Sequence, residues 1–74
     1  MPINFSEHAK KQFEERYISR KRVIKTVKNP DTILASFKKR RLRQRGFGDK
    51  ILEVVTVTEG SRISVVTAYY LKEK

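Results

Sequence analysis

Residues 50–71, KILEVVTVTEGSRISVVTAYYL, contain two runs dense in Val, Ile, Thr and Tyr, separated by Glu59, Gly60 and Ser61. β-Branched and aromatic side chains suit a pleated, half-buried surface, and a short Gly-containing gap suits a reversal. Residues 50–58 and 62–71 are therefore expected to pair as a hairpin. Along the second run, strict alternation sets Ile63, Val65, Thr67, Tyr69 and Leu71 on one side and Arg62, Ser64, Val66, Ala68 and Tyr70 on the other. The first set is assigned to the core, although one bulge would move part of either set.

Upstream of the hairpin, residues 32–39 form a further strand candidate and residues 41–47 a weaker one, closed by the permissive backbone of Gly46, Gly48 and Asp49. Before Pro30 the period changes. Phe5, Ala9, Phe13 and Tyr17 recur every four residues, which predicts a helix over 6–17, capped by Ser6 and carrying Glu7 in its first turn. A second helix, starting after Ser19, would bury Val23, Ile24 and Val27. It should stop near Asn29, because Pro30 restricts the residue before it. The expected fold is α+β: two N-terminal helices packed on one face of a four-stranded antiparallel sheet, as a single domain over residues 1–74. A chain this short buries only about 60% of its unfolded surface, so the core is thin.

Eighteen Lys and Arg against eight Asp and Glu leave a formal charge of +10 on 74 residues, which favours a polyanionic partner. The cations are densest at 38–45, KKRRLRQR, where six of eight side chains are basic. In an extended strand Lys39, Arg41, Arg43 and Arg45 share one side, roughly 6–7 Å apart, close to the spacing of phosphates on an extended single strand. Guanidinium groups can bind phosphate with a paired fork. Charges of this kind also protect sheet edges from pairing, and the sequence leaves both uses open. Nucleic acid is the first candidate partner, and an anionic membrane surface or an acidic protein would also satisfy the charge.

The chain lacks cysteine, so neither disulfides nor thiolate metal sites are available to it. It shows no Walker loop, dinucleotide fingerprint, zinc motif, nucleophile elbow or paired carboxylates, so no cofactor and no metal is expected. No apolar run approaches the roughly 20 residues of a membrane helix, and no hydrophobic signal core follows Met1. These features lead to the expectation of a soluble, cytoplasmic protein with no membrane partner.

His8 is the sole imidazole and the one ordinary side chain suited to moving protons near neutral pH. It shares a helical stripe with Gln12 and Arg16, one turn apart, beside the apolar stripe. A helix-boundary role for His8 and a surface role for Arg16 are the plainer readings. Phe47 either closes the end of the core or stacks on a base. Tyr17 and Tyr69 are assigned to the core, and Tyr70, on the opposite side, to substrate. A nuclease built from these residues would be metal-independent: the RNA 2′-hydroxyl would attack the neighbouring phosphate, helped by a base, an acid and cations.

The segments F-S-E-H-A at 5–9, E-R at 15–16, I-S at 18–19, N-P at 29–30 and V-V-T-A-Y at 65–69 resemble a family of small bacterial and archaeal domains of unknown function. That family is grouped with the RelE-like toxins, inside the barnase, EndoU, colicin and RelE ribonuclease fold. The resemblance implies a RelE-like order of two helices and a curved antiparallel sheet, and endoribonuclease activity of toxin type. It implies His8 as general acid or base, Arg16 and Arg45 as phosphate stabilisers, and Thr67 or Tyr69 as orienting hydroxyls. Lys39, Arg41, Arg43, Arg45 and Tyr70 would contact nucleic acid. The implied partners are RNA, free or on the ribosome, and a small acidic antitoxin protein. The alternatives are a non-catalytic RNA- or DNA-binding module and an interaction domain for an acidic partner. Alternation conflicts with one part of this, since it turns Thr67 and Tyr69 toward the helices.

Overall fold

The computed structural model describes residues 3–71. Its elements are β1 (Ile3–Phe5), α1 (Glu7–Glu15), α2 (Arg20–Lys28), β2 (Thr32–Ala35), β3 (Arg40–Phe47), β4 (Lys50–Glu59) and β5 (Arg62–Leu71). One sheet runs in the order β1-β5-β4-β3-β2. The expected fold needs two corrections. The chain opens with a strand before its helices, and the sheet is five-stranded and mixed, because β1 pairs in parallel with β5 while the other neighbours are antiparallel. The N-terminal strand is only three residues long, and its Phe5 stands in phase with the helical stripe, so periodicity counts it into the helix. Phe5 is held on the core by an edge-to-face contact with Phe13, centroids 5.6 Å apart.

Ser6 caps α1 by accepting from the Ala9 N–H at 3.0 Å. At the other end the Ile18 N–H reaches back to the Phe13 carbonyl at 2.9 Å and the Tyr17 N–H to Glu14, the two bonds of a Schellman stop. The position that usually carries glycine is Tyr17, with φ at +54°. This turn throws the Tyr17 ring into solvent, 91% exposed, and brings Ile18 inward instead. Tyr17 is thus not the core residue its spacing predicts.

The helix α1 runs along β5, and α2 against β4 and β3. More than covering a surface, α1 closes an edge. Beyond β1 the free margin of β5 is met by Ser6 Oγ, which donates to the Val66 carbonyl at 3.4 Å, and by Arg16, which donates to the Ala68 carbonyl at 3.0 Å. Between α1, α2 and the sheet lies the core: Ala9, Phe13, Ile18, Val23 and Val27 against Leu52, Val54, Ile63, Val65 and Ala68. Among the described residues, no helix is long and apolar enough to cross a membrane.

The phase of β5 changes partway along. Val65 pairs with Thr56 and Thr67 with Val55, leaving Val66 without a partner in β4. This bulge carries Ile63 and Val65 on the core side into Ala68 and Tyr70 on the same side. Thr67, Tyr69 and Leu71 consequently lie on the outer face, which corrects the assignment of Tyr69 to the core and of Tyr70 to the opposite side.

The strand expected over 32–39 stops at Ala35. The chain reverses at Lys38 and Lys39, with φ of +58° and +63°, and the Arg40 N–H returns to the Phe37 carbonyl at 3.2 Å. Two successive positive φ values match the twist of a tight hairpin, a place normally taken by Asn-Gly. Here two lysines occupy it.

Candidate functional site

On the outer face, β4 contributes Glu53, flanked across the ladder by Gln44 of β3 and Tyr69 of β5. The Tyr69 hydroxyl donates to Glu53 Oε2, and Gln44 Nε2 donates to Oε1 at 2.6 Å. Glu53 is 6% exposed, so both carboxylate oxygens find partners inside the protein. Two residues along β5, Thr67 donates to the side-chain oxygen of Gln12 on α1. Arg16, one helical turn beyond Gln12, is fixed by the Ala68 carbonyl and keeps its remaining guanidinium donors. His8, one turn before Gln12, is exposed beside the Ser6 cap. The stripe of His8, Gln12 and Arg16 thus borders the margin of β5 where Thr67 and Tyr69 emerge.

Burial, the hydrogen bond to Glu53 and the Glu53 charge push the Tyr69 phenol up to about 12, against the opposing pull of Arg16. Tyr69 therefore remains a neutral hydroxyl through the physiological range. Because its folded-state pKa is raised, the stability it contributes is present below its ordinary value of 10.0 and lost as pH rises toward about 12. Tyr69→Phe should lack that alkaline loss, seen as a urea midpoint that falls less than the parent's across this window. Equal losses in the two proteins would remove Tyr69 as the source.

The basic run divides in two. Arg41, Arg43 and Arg45 do share a side, and it is the core side, opposite Thr56, Val54 and Leu52. Arg43 donates to Thr56 Oγ1 and to the Val27 carbonyl, both at 3.1 Å. Arg45 donates to the Asn29 carbonyl at 2.6 Å and lies 3.9 Å from Asp31. Two guanidiniums thus complete the C-terminal end of α2, where carbonyls lack helical partners and positive charge is favoured. Burial, with the neighbouring Arg41, lowers the pKa of Arg43 from its ordinary value. Arg41 is exposed, and Lys39 belongs to the turn and not to the strand. Arg40 projects on the outer face with Gln44, roughly 13 Å away along the strand.

Tyr70 lies on the core side, its hydroxyl accepting from Arg22 at 2.9 Å and its ring 5.4 Å from Lys50 Nζ. Phe47 packs against the core, with Arg22 4.9 Å from its ring centroid and Arg45 5.9 Å. Of the residues singled out by sequence, Arg16, Thr67 and Tyr69 are brought together, with His8 on the bordering helix. Arg41, Arg43, Arg45 and Tyr70 are on the other side of the sheet. Sequence reasoning missed Glu53 and Gln44. The signal for Glu53 was available: it is the one carboxylate inside the apolar run ILEVVTV, out of phase with Leu52 and Val54.

A groove of about 520 Å³ lies on the core side at the end of α2, lined by Val27, Lys28, Arg41, Arg43, Thr58, Ile3 and Ile63. It holds no proton carrier suited to neutral pH and none of the outer-face residues, so the candidate chemistry stays with the outer face. Among the described residues, no group of three or more His, Cys, Asp or Glu side chains is placed to hold a metal ion.

The fold and these side chains define a small, strongly basic domain of two helices on a mixed five-stranded sheet, with a hydrogen-bonded polar cluster on the sheet's outer face. The family described as a domain of unknown function (DUF4258) matches residues 5–70, and the chain belongs to it. No curated protein and no solved structure matches the chain.

Proposed function

We propose that this domain is a RelE-like, toxin-type endoribonuclease that cuts RNA without a metal ion. The observation that carries the reading is the bulge at Val66, which turns Thr67 and Tyr69 outward beside Arg16 and the helix bearing His8. Bulges often re-aim side chains next to active sites. In the proposed reaction the 2′-oxygen loses its proton and bonds to phosphorus, the P–O5′ bond breaks, and O5′ gains a proton. The products are a 2′,3′-cyclic phosphate and a 5′-hydroxyl. His8 serves as general acid or base, and the free donors of Arg16 meet the charge that accumulates on the phosphoryl oxygens. Tyr69, kept protonated and oriented by Glu53, and Thr67, oriented by Gln12, supply positioned hydroxyls.

The remaining cations support binding of the chain to be cut. Lys38, Lys39, Arg40 and Arg41 are exposed, and Arg40 shares the outer face. Arg45 is already committed to the end of α2, so of the two expected phosphate stabilisers Arg16 alone keeps that role. Restraint of such an enzyme in its host falls to a small acidic antitoxin protein. Incubation of the purified protein with RNA in EDTA should release fragments ending in 2′,3′-cyclic phosphate. RNA left intact, both free and on translating ribosomes, would return the domain to its alternative, a binding module.

A further inference from the structure

Four large hydrophobic side chains are exposed among the described residues, and three of them, Ile33, Leu34 and Phe37, belong to β2 and the turn that follows it. The strand β2 is the last in the sheet and pairs with β3 alone. All four of its residues are exposed. Proteins usually blunt such an edge with lysine, proline, a bulge or a covering helix. Residues 32–35, TILA, carry none of the first three, and the helices lie elsewhere: α1 closes the margin of β5 at the opposite side of the sheet. The charges one would expect on the edge strand sit instead on β3, one strand inward, and in the turn.

The direction of the free backbone groups follows from the ladder. The Ser36 N–H donates inward to the Arg40 carbonyl at 2.9 Å. Period-two alternation then turns Leu34 and Thr32 inward as well, and leaves the N–H and C=O of Ile33 and Ala35 facing outward. The edge therefore offers two donors and two acceptors in extended register, apolar side chains on both sheet faces, and a cationic end at Lys38 and Lys39.

We propose that β2 is the docking edge for an extended, acidic segment of a partner protein, which adds to the sheet as a sixth strand. The proposal holds whether or not the domain cuts RNA. Free peptide N–H and C=O groups are matched by another polypeptide strand, and nucleic acid has no such ladder. Charge selects the kind of polypeptide. A second copy of this chain brings another +10 of net charge to a contact flanked by Lys38, Lys39 and the arginines that follow, whereas an acidic strand relieves that repulsion. Its apolar residues meet Ile33 or Leu34, and its carboxylates pass Phe37 to reach the lysine turn.

A labelled ten-residue peptide alternating Glu and Val serves as the probe, titrated into the full chain by fluorescence anisotropy. Expected are salt-weakened binding and slowed amide exchange at Ile33 and Ala35. Ile33→Pro removes an outward donor without touching an inward ladder bond, and should weaken binding by about tenfold, the upper range for one backbone hydrogen bond. The double change Lys38→Glu and Lys39→Glu, on an exposed turn, should weaken it as well while preserving the circular dichroism spectrum. Binding indifferent to the charge reversal, or amide protection appearing elsewhere than β2, would overturn the proposal. So would concentration-dependent dimers protected at β2 in a chain that ignores the peptide, which would make the second copy the occupant.

Discussion

On the proposed ribonuclease reading, His8→Ala is expected to lower the rate of RNA cleavage by about 10²–10⁴-fold, the usual contribution of a positioned proton carrier, and to leave RNA affinity near its original value. The chain has no second imidazole to take over the role. On that reading affinity would rest on cations elsewhere, namely Arg16 and the exposed run 38–41, so binding and turnover should separate. The side chain is exposed and helical, so its removal costs the fold little. Single-turnover cleavage and filter binding on the same RNA give the two numbers. A parallel fall in both would make His8 a binding residue, and an unchanged rate would move the proton transfer to another group.

Leu52→Ala is expected to cost about 2–5 kcal/mol, the range for a buried leucine that leaves a cavity. Leu52 is fully buried and lies at the centre of the core, where β4 meets α2 and β5. A domain of this length has roughly 4–11 kcal/mol of stability in total, so the change removes a large share of it. Thermal unfolding followed by circular dichroism should show a midpoint lowered by about 10 °C or more. Val55, three positions on and facing the outer side, is also buried but lies outside the core cluster, and Val55→Ala, which deletes a smaller side chain, should cost less. Equal losses at the two positions would contradict the assignment of faces on β4.

The hairpin of β4 and β5 was legible because β-branched residues and a Gly-containing turn agree with one another. Both helices were legible from spacing, caps and Pro30. Three features were not. The strand Ile3–Phe5 is too short to show its own period, and Phe5 continues that of the helix behind it. Val65 and Val66 are equally apolar, so no pattern of side chains could say which of them the bulge would leave unpaired. Tyr17 fits the apolar stripe, yet the helix ends two residues before it, at Glu15, too soon to bury it.

The site was readable in part. The stripe of His8, Gln12 and Arg16 follows from helical spacing alone. Thr67 and Tyr69 entered through family resemblance, against an alternation count that the bulge reverses. The basic run was misleading for a physical reason: density of charge does not reveal which guanidiniums the protein itself consumes. Two of the arginines are spent on the carbonyls that end α2. The lone carboxylate in the apolar run was a signal for Glu53, but a solvated outer-face residue gives the same one, and only the partners across the ladder distinguish the two.

Because Val66 has no opposite number in β4, β5 is tolerant of shortening and intolerant of lengthening at that point. A chain that loses Val66 keeps an uninterrupted alternation in which Thr67 still stands outward across from Val55, and Tyr69 across from Glu53. A chain that gains one residue there faces a worse choice. If the single bulge is kept, Thr67 and Tyr69 turn into the core; if the strand straightens, Tyr69 slides away from Glu53 to stand across from Ile51. Among family members, length changes between the positions of Val65 and Thr67 should therefore be deletions.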